Sequence, residues 1–109
     1  MSCVFCGIAG KEIKGSIVHE TEKVIAFDDI APQAPVHVVI IPKEHILGIS
    51  GSKDVLTEIF AAIDRITKIK GIQDTGYRVV MNSGKDAGQA VDHIHFHLLG
   101  GRPLKWPPG

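Results

Sequence analysis

The amino-acid sequence predicts an α+β fold of roughly five strands, one long helix and a short amino-terminal helix. Three observations carry this expectation. Short runs of β-branched residues are separated by turn-forming residues, apolar residues from position 54 onward recur at three- and four-residue steps, and 109 residues leave room for only one core. A chain of this length buries roughly 60–70% of the surface its unfolded form exposes, so one domain spanning residues 1–109 is expected.

In chain order, residues 4–10 suit a short helix ended by Gly10. Ile17-Val18-His19-Glu20 and Val24-Ile25-Ala26-Phe27 read as the strands of a hairpin, with Glu22-Lys23 at its turn. Ala31-Pro32-Gln33-Ala34-Pro35 breaks the pattern, because proline lacks a ladder donor and biases its predecessor to extended geometry. Val36-His37-Val38-Val39-Ile40-Ile41, closed by Pro42, has the near-continuous apolar character of a strand covered on both faces, which places it centrally. Val55, Leu56, Ile59, Phe60, Ile63, Ile66 and Ile69, with Asp64, Arg65 and Lys68 between them, form the stripe of one amphipathic helix. Ser52 or Asp54 can cap its start, Lys68 and Lys70 suit the negative end of its dipole, and Gly71 can take the left-handed stop. Residues 77–82 and 92–99 complete the strands, joined by the glycine-containing stretch 83–89.

Twelve basic and twelve acidic residues cancel, and neither sign forms a block. No electrostatic footprint for duplex nucleic acid or an acidic membrane results, so any nucleic-acid-related ligand is expected to be small. The amino terminus lacks a basic region followed by a long apolar run, and wholly apolar stretches such as residues 38–41 are far too short to span a bilayer. A cytoplasmic location is the expectation. Cys3 and Cys6 are a poor disulfide framework and a common half of a metal site.

Function concentrates in His93-Ile94-His95-Phe96-His97. On a strand the three histidines share one face while Ile94, Phe96 and Leu98 share the other. The outer two then lie roughly 13 Å apart at strand rise, too far for all three to bind one metal. A solvated polar strand face is the plain alternative, but Ser, Thr or Lys would solvate equally well, so three histidines in register point to chemistry. Just upstream, the turn Asn82-Ser83-Gly84-Lys85-Asp86-Ala87-Gly88-Gln89-Ala90 offers backbone N–H groups and amides that can converge on phosphate oxygens.

These residues resemble the signature of the histidine triad family. Phe27-Asp28-Asp29-Ile30-Ala31-Pro32-Gln33-Ala34-Pro35, Ile41-Pro42-Lys43-Glu44-His45-Ile46, Gly88-Gln89 and Gly100-Gly101-Arg102-Pro103 are also similar to family segments, and Trp106-Pro107-Pro108-Gly109 to its HINT branch. The resemblance covers nearly the whole chain. It implies a five-stranded antiparallel sheet, a homodimer joining two such sheets, a purine nucleotide site for AMP or GMP in each subunit, and cleavage of a bond to the α-phosphorus. Nucleoside 5′-phosphoramidates are the implied substrates, with dinucleoside polyphosphate hydrolysis and a nucleotide-binding interaction protein as the alternatives.

By the same resemblance His95 is the nucleophile, and His97, Asn82, Gln89 and the Gly88 backbone surround the phosphate. Asp29 holds the ribose, while Phe27 and Ile30, with Phe5, Ile8 and Val4, wall the base. Trp106 approaches the partner subunit's site. Ala90 stands where the branch often has serine near the leaving group, and Asp92 where an aromatic is frequent.

The spacing of Cys3 and Cys6 suits half of a closed zinc tetrahedron, which needs two histidines more. Family resemblance supplies His45 and His93 as those ligands for a structural zinc and leaves His95 and His97 free. Two reduced cysteines in a short helix are the rival reading; a thioredoxin-like pair lacks the strand that would position it. His19 and His37 have no partner suggested by sequence and read as structural or surface residues.

Overall fold

The computed structural model describes residues 3–109. Their strands, β1 (Ile17–Glu20), β2 (Val24–Asp28), β3 (Val36–Pro42), β4 (Tyr77–Val80) and β5 (Phe96–Gly100), form one five-stranded sheet in the order β1-β2-β3-β5-β4. Every neighbouring pair is antiparallel. Helix α1 (Val4–Ala9) and the long helix α2 (Leu56–Ile69) lie on opposite faces. None of the helices is long and apolar enough to cross a membrane.

The pleat of β3 explains the layering. Val38 and Ile40 join Val24, Ala26, Phe96 and Leu98 against Ile59, Ile63 and Ile66 of α2. Val39 and Ile41 point the other way, packing with Ile25, Phe27 and Ile8 beneath α1. The central, doubly covered strand expected from its apolar run is therefore β3. Between β1 and β2, Thr21 N–H donates to the Val24 carbonyl and the Thr21 hydroxyl accepts from Val24 N–H, closing the turn at Glu22-Lys23.

Three boundaries differ from the sequence expectation. Neither Ser52 nor Asp54 caps α2 with its side chain. A 3₁₀ turn, Ile49–Gly51, precedes the helix, and the Ser52 hydroxyl folds back onto the Ile49 carbonyl at 2.8 Å. The Ser52 carbonyl instead accepts from Val55 and Leu56 N–H. At the other end Gly71 takes φ +70°, the left-handed stop its position required. Strand β4 stops at Val80 rather than at residue 82, and β5 starts at Phe96 rather than at residue 92. Opposite the missing part of β5, Pro42 ends β3 without a ladder donor and β4 has already turned away, so residues 92–95 have no strand to pair with.

Candidate functional site

This shortening of β5 rearranges the histidines. Only His97 lies on the pleated strand, opposite Val39 and Val80. His93 and His95 belong to the irregular segment before it, and both are buried rather than arrayed on an open strand face. Each ring therefore has its own environment, fixed by its own partners.

His95 Nδ1 lies 2.8 Å from the His93 carbonyl oxygen. A carbonyl only accepts, so Nδ1 carries the proton and Nε2 is left with a free lone pair. The ring is wedged edge-on between Phe5, 5.0 Å away between centroids, and His97, 5.1 Å away.

His97 has the opposite tautomer, and the cause lies two residues removed. The Gln33 backbone N–H donates to His37 Nδ1 at 3.1 Å, which puts the His37 proton on Nε2. That Nε2–H meets His97 Nδ1 at 2.9 Å, with Asp29 Oδ2 at 3.4 Å beside it. His97 Nδ1 thus accepts, and its proton sits on Nε2. Burial, with the neighbouring His95 and His37 rings assisting, holds His97 below the ordinary histidine range, Asp29 opposing weakly. The pair His95 and His97 presents one lone pair and one N–H donor side by side.

His37 was expected to be a structural or surface residue with no partner suggested by sequence, and the structure supplies the partner. His37 is buried in β3 and braces His97. A signal existed: a histidine in the middle of a strand covered on both faces needs a polar partner. The partner's identity depended on strand register, which pairs His37 with Leu99 and makes His97 its diagonal neighbour.

His95 and His97 face a cavity of about 990 Å³. Its apolar walls come from α1 (Val4, Phe5, Ile8) and from Phe27 and Ile30. Ile30 stands fully exposed at the rim, while Phe27 is buried and packs on Phe5 at 5.5 Å between centroids. Asp29 lines the same cavity, one oxygen tied to Ala31 N–H at 2.8 Å.

Asn82, Gly88 and Ala90 edge the cavity beside the two histidines. Between them, Gly84 at φ +84°, ψ −179° and Gly88 at φ +77° frame the 3₁₀ turn Lys85–Ala87, conformations that side-chain-bearing residues resist. Gln89 is not among the lining groups. Its Oε1 accepts from Gly84 N–H at 2.8 Å and its Nε2 donates to the Val91 carbonyl at 3.0 Å, so the amide braces the turn.

On the far side of α1, Cys3, Cys6, His45 and His93 offer ligand atoms that all lie within 4.8 Å of one another. Cys6 Sγ is 3.1 Å from His45 Nδ1, and Cys3 Sγ is 3.4 Å from His93 Nδ1. Tetrahedral bonds of about 2.3 Å to sulfur and 2.0–2.1 Å to nitrogen require separations of this size. His93 Nε2 donates to the Pro42 carbonyl at 2.8 Å, which leaves Nδ1 unprotonated toward the cluster, the arrangement a metal-bound imidazole needs. Burial and the adjacent Cys3 push the Cys6 thiol up, a balance that a divalent cation would invert. The residues fit zinc. Asp29, His37 and His97 also cluster, but the Gln33 N–H on His37 Nδ1 holds a proton on the Nε2 that would face a metal, so this group is built as a hydrogen-bonded relay.

Comparison with known proteins identifies the family. The HIT domain family matches residues 10–104. A 14 kDa zinc-binding protein from Zea mays is 46% identical over 97% of this chain and 87% of its own length. Adenylylsulfatase HINT1 from Arabidopsis thaliana is 41% identical over 97% of this chain and 76% of its own length. The crystal structure of a HIT family hydrolase from Legionella pneumophila Philadelphia 1 superposes with a TM-score of 0.95 at 44% identity, covering 99% of this chain and 100% of that one. With the triad, its supporting sheet and these relatives in agreement, the chain belongs to the histidine triad family, in its HINT branch.

Proposed function

We propose that the protein hydrolyses purine nucleoside 5′-phosphoramidates, breaking the P–N bond at the α-phosphorus through a nucleotidyl intermediate on His95. The observation that carries the reading is the pair of opposite tautomers at the floor of one apolar cavity. His95 Nε2 attacks phosphorus, and the P–N electron pair leaves with nitrogen, which takes up a proton from solvent while His97 Nε2–H holds it by a hydrogen bond. The His37 Nε2–H on His97 Nδ1 keeps that donor in place throughout, and the cationic His95 adduct stands one ring away. Water then attacks phosphorus, gives its proton to solvent and frees His95.

In this reading Asn82 and the Gly88 backbone donate to the phosphate, with Gln89 holding the turn that aims them. Asp29 lines the cavity and accepts a ribose hydroxyl on a remaining lone pair, and Phe5, Phe27 and Ile30 sandwich a purine as in AMP or GMP. The Arabidopsis relative's name, an adenylylsulfatase, supports an adenylyl group as the part held. Zinc on Cys3, Cys6, His45 and His93 ties α1 to the segment before β5 and contributes folding energy. A homodimer extends the same reading: β4 is an edge strand, with Tyr77 and Trp106 exposed beside it. Dimeric mass at micromolar concentration is the expected result for that part.

The deciding experiment compares an adenosine phosphoramidate, adenylyl sulfate and a diadenosine polyphosphate on one preparation. Preferred turnover of the phosphoramidate, with nucleotidylated His95 found by mass spectrometry after acid-free quenching, is expected. Preference for the polyphosphate, or binding without turnover of any substrate, overturns the proposal.

A further inference from the structure

A second cavity, of about 500 Å³, adjoins the nucleotide cavity and shares Val4, Ala90 and Val91 with it. Its remaining lining is Leu47, Asp92 and the outer faces of Cys3 and His45. The three shared residues join the two cavities, and Phe27 and Asp29, the groups suited to a nucleoside, line the first alone. A substrate whose nucleoside fills the first cavity has its other phosphorus substituent beside Ala90, at the mouth of the second.

The chemistry of this cavity is lopsided. Val4, Leu47 and Val91 make it apolar, and Leu47 is 65% exposed, an open apolar surface without cover among the described residues. Asp92 is its only carboxylate, is exposed, and has no ion-pair partner among the described residues. Two thiolates balance a divalent ion at the neighbouring cluster, so the Cys3 and His45 wall adds no net charge when metal is bound. An apolar cavity that holds one unpaired carboxylate fits an alkyl chain that carries a cation.

We propose that this cavity is the leaving-group subsite and that Asp92 makes the enzyme select amines that carry a second, protonated nitrogen at the far end of an alkyl chain. The proposal rests on the phosphoramidase reading for which bond is broken, but the cavity and its charge stand apart from the triad. Salt is expected to erode the preference, because the pair is open to solvent.

The test uses three adenosine 5′-phosphoramidates, made from diaminobutane, pentylamine and aminopentanoic acid, which differ only in an ammonium, methyl or carboxylate end. The expected kcat/KM order is ammonium, methyl, carboxylate, with about a threefold to fivefold step, the worth of a partly screened pair. Asp92→Asn should level the first two, and Asp92→Lys should invert ammonium and carboxylate. The same order is expected in the binding of non-hydrolysable 5′-sulfamide analogues, measured by calorimetry. Discrimination in binding without hydrolysis of any amide would sink the phosphoramidase reading and keep the subsite. Equal hydrolysis and equal binding of all three ligands, or an order unchanged in Asp92→Asn, would remove Asp92 from this role.

Discussion

His37 Nε2 on β3 reaches His97 Nδ1 on β5 across 2.9 Å, and this contact sets the tautomer of the histidine that faces the cavity. Replacing His37 by alanine frees the His97 ring to place its proton on either nitrogen. We expect kcat on a phosphoramidate to fall about tenfold to a hundredfold, somewhat less than for outright removal of a donor aimed at developing charge. His37→Gln, whose amide N–H can replace the Nε2 donor, should recover a substantial part, and a merely structural role would show no such recovery.

His95→Asn keeps a donor for the His93 carbonyl and removes the attacking nitrogen. Turnover should drop by about a thousandfold or more, as for loss of a covalent group, while nucleotide affinity by calorimetry changes little. Retention of a tenth of the activity would exclude His95 as nucleophile.

The lowered pKa of His97 has a consequence for stability. Its folded pKa lies below the unfolded value, so at intermediate pH the unfolded chain binds more protons. The contribution is fully present above about pH 6.5, the ordinary histidine value, and is lost as pH falls through the folded pKa. Melting temperature should therefore decline on acidification below that pH, and His97→Asn should show a shallower decline. Identical slopes in thermal scans of both proteins would refute the assignment.

Helix α1 carries both Cys3-Cys6 contacts to the histidines and the cavity wall residues Val4, Phe5 and Ile8. Metal analysis should find about one zinc per chain, consistent with a single closed Cys₂His₂ site. Cys6→Ser or chelation should lower the melting temperature and, because the same helix packs on His95, weaken AMP binding as well. A metal-free protein with unchanged melting temperature and AMP affinity after chelation would reject the coupling.

Ala90 edges both cavities, so a hydroxyl placed there can donate to the departing nitrogen or to a phosphoryl oxygen. Ala90→Ser should raise kcat about threefold to tenfold on basic amine leaving groups, the worth of one net hydrogen bond. Good leaving groups should gain less, because they depart with little protonation. A graded series of amides whose rates change uniformly would place Ala90 away from the leaving group.

What the sequence determined by itself was carried by period and by punctuation. The amphipathic stripe from Val55 to Ile69, the doubly apolar β3 and the left-handed Gly71 were legible because each depends on residues within one element. The family was legible too, since His93, His95 and His97 with Cys3, Cys6 and His45 match a known pattern. Tertiary structure decided how those residues are used. Pro42 at the end of β3 leaves residues 92–95 without a ladder, which turns His93 to the cysteines and His95 to the cavity. Antiparallel register sets His37 diagonally from His97, and the Gln33 amide in the preceding loop then orients both rings. Such relations join residues up to 90 positions apart, and a proton's place on an imidazole depends on which donor or acceptor folding brings to its other nitrogen.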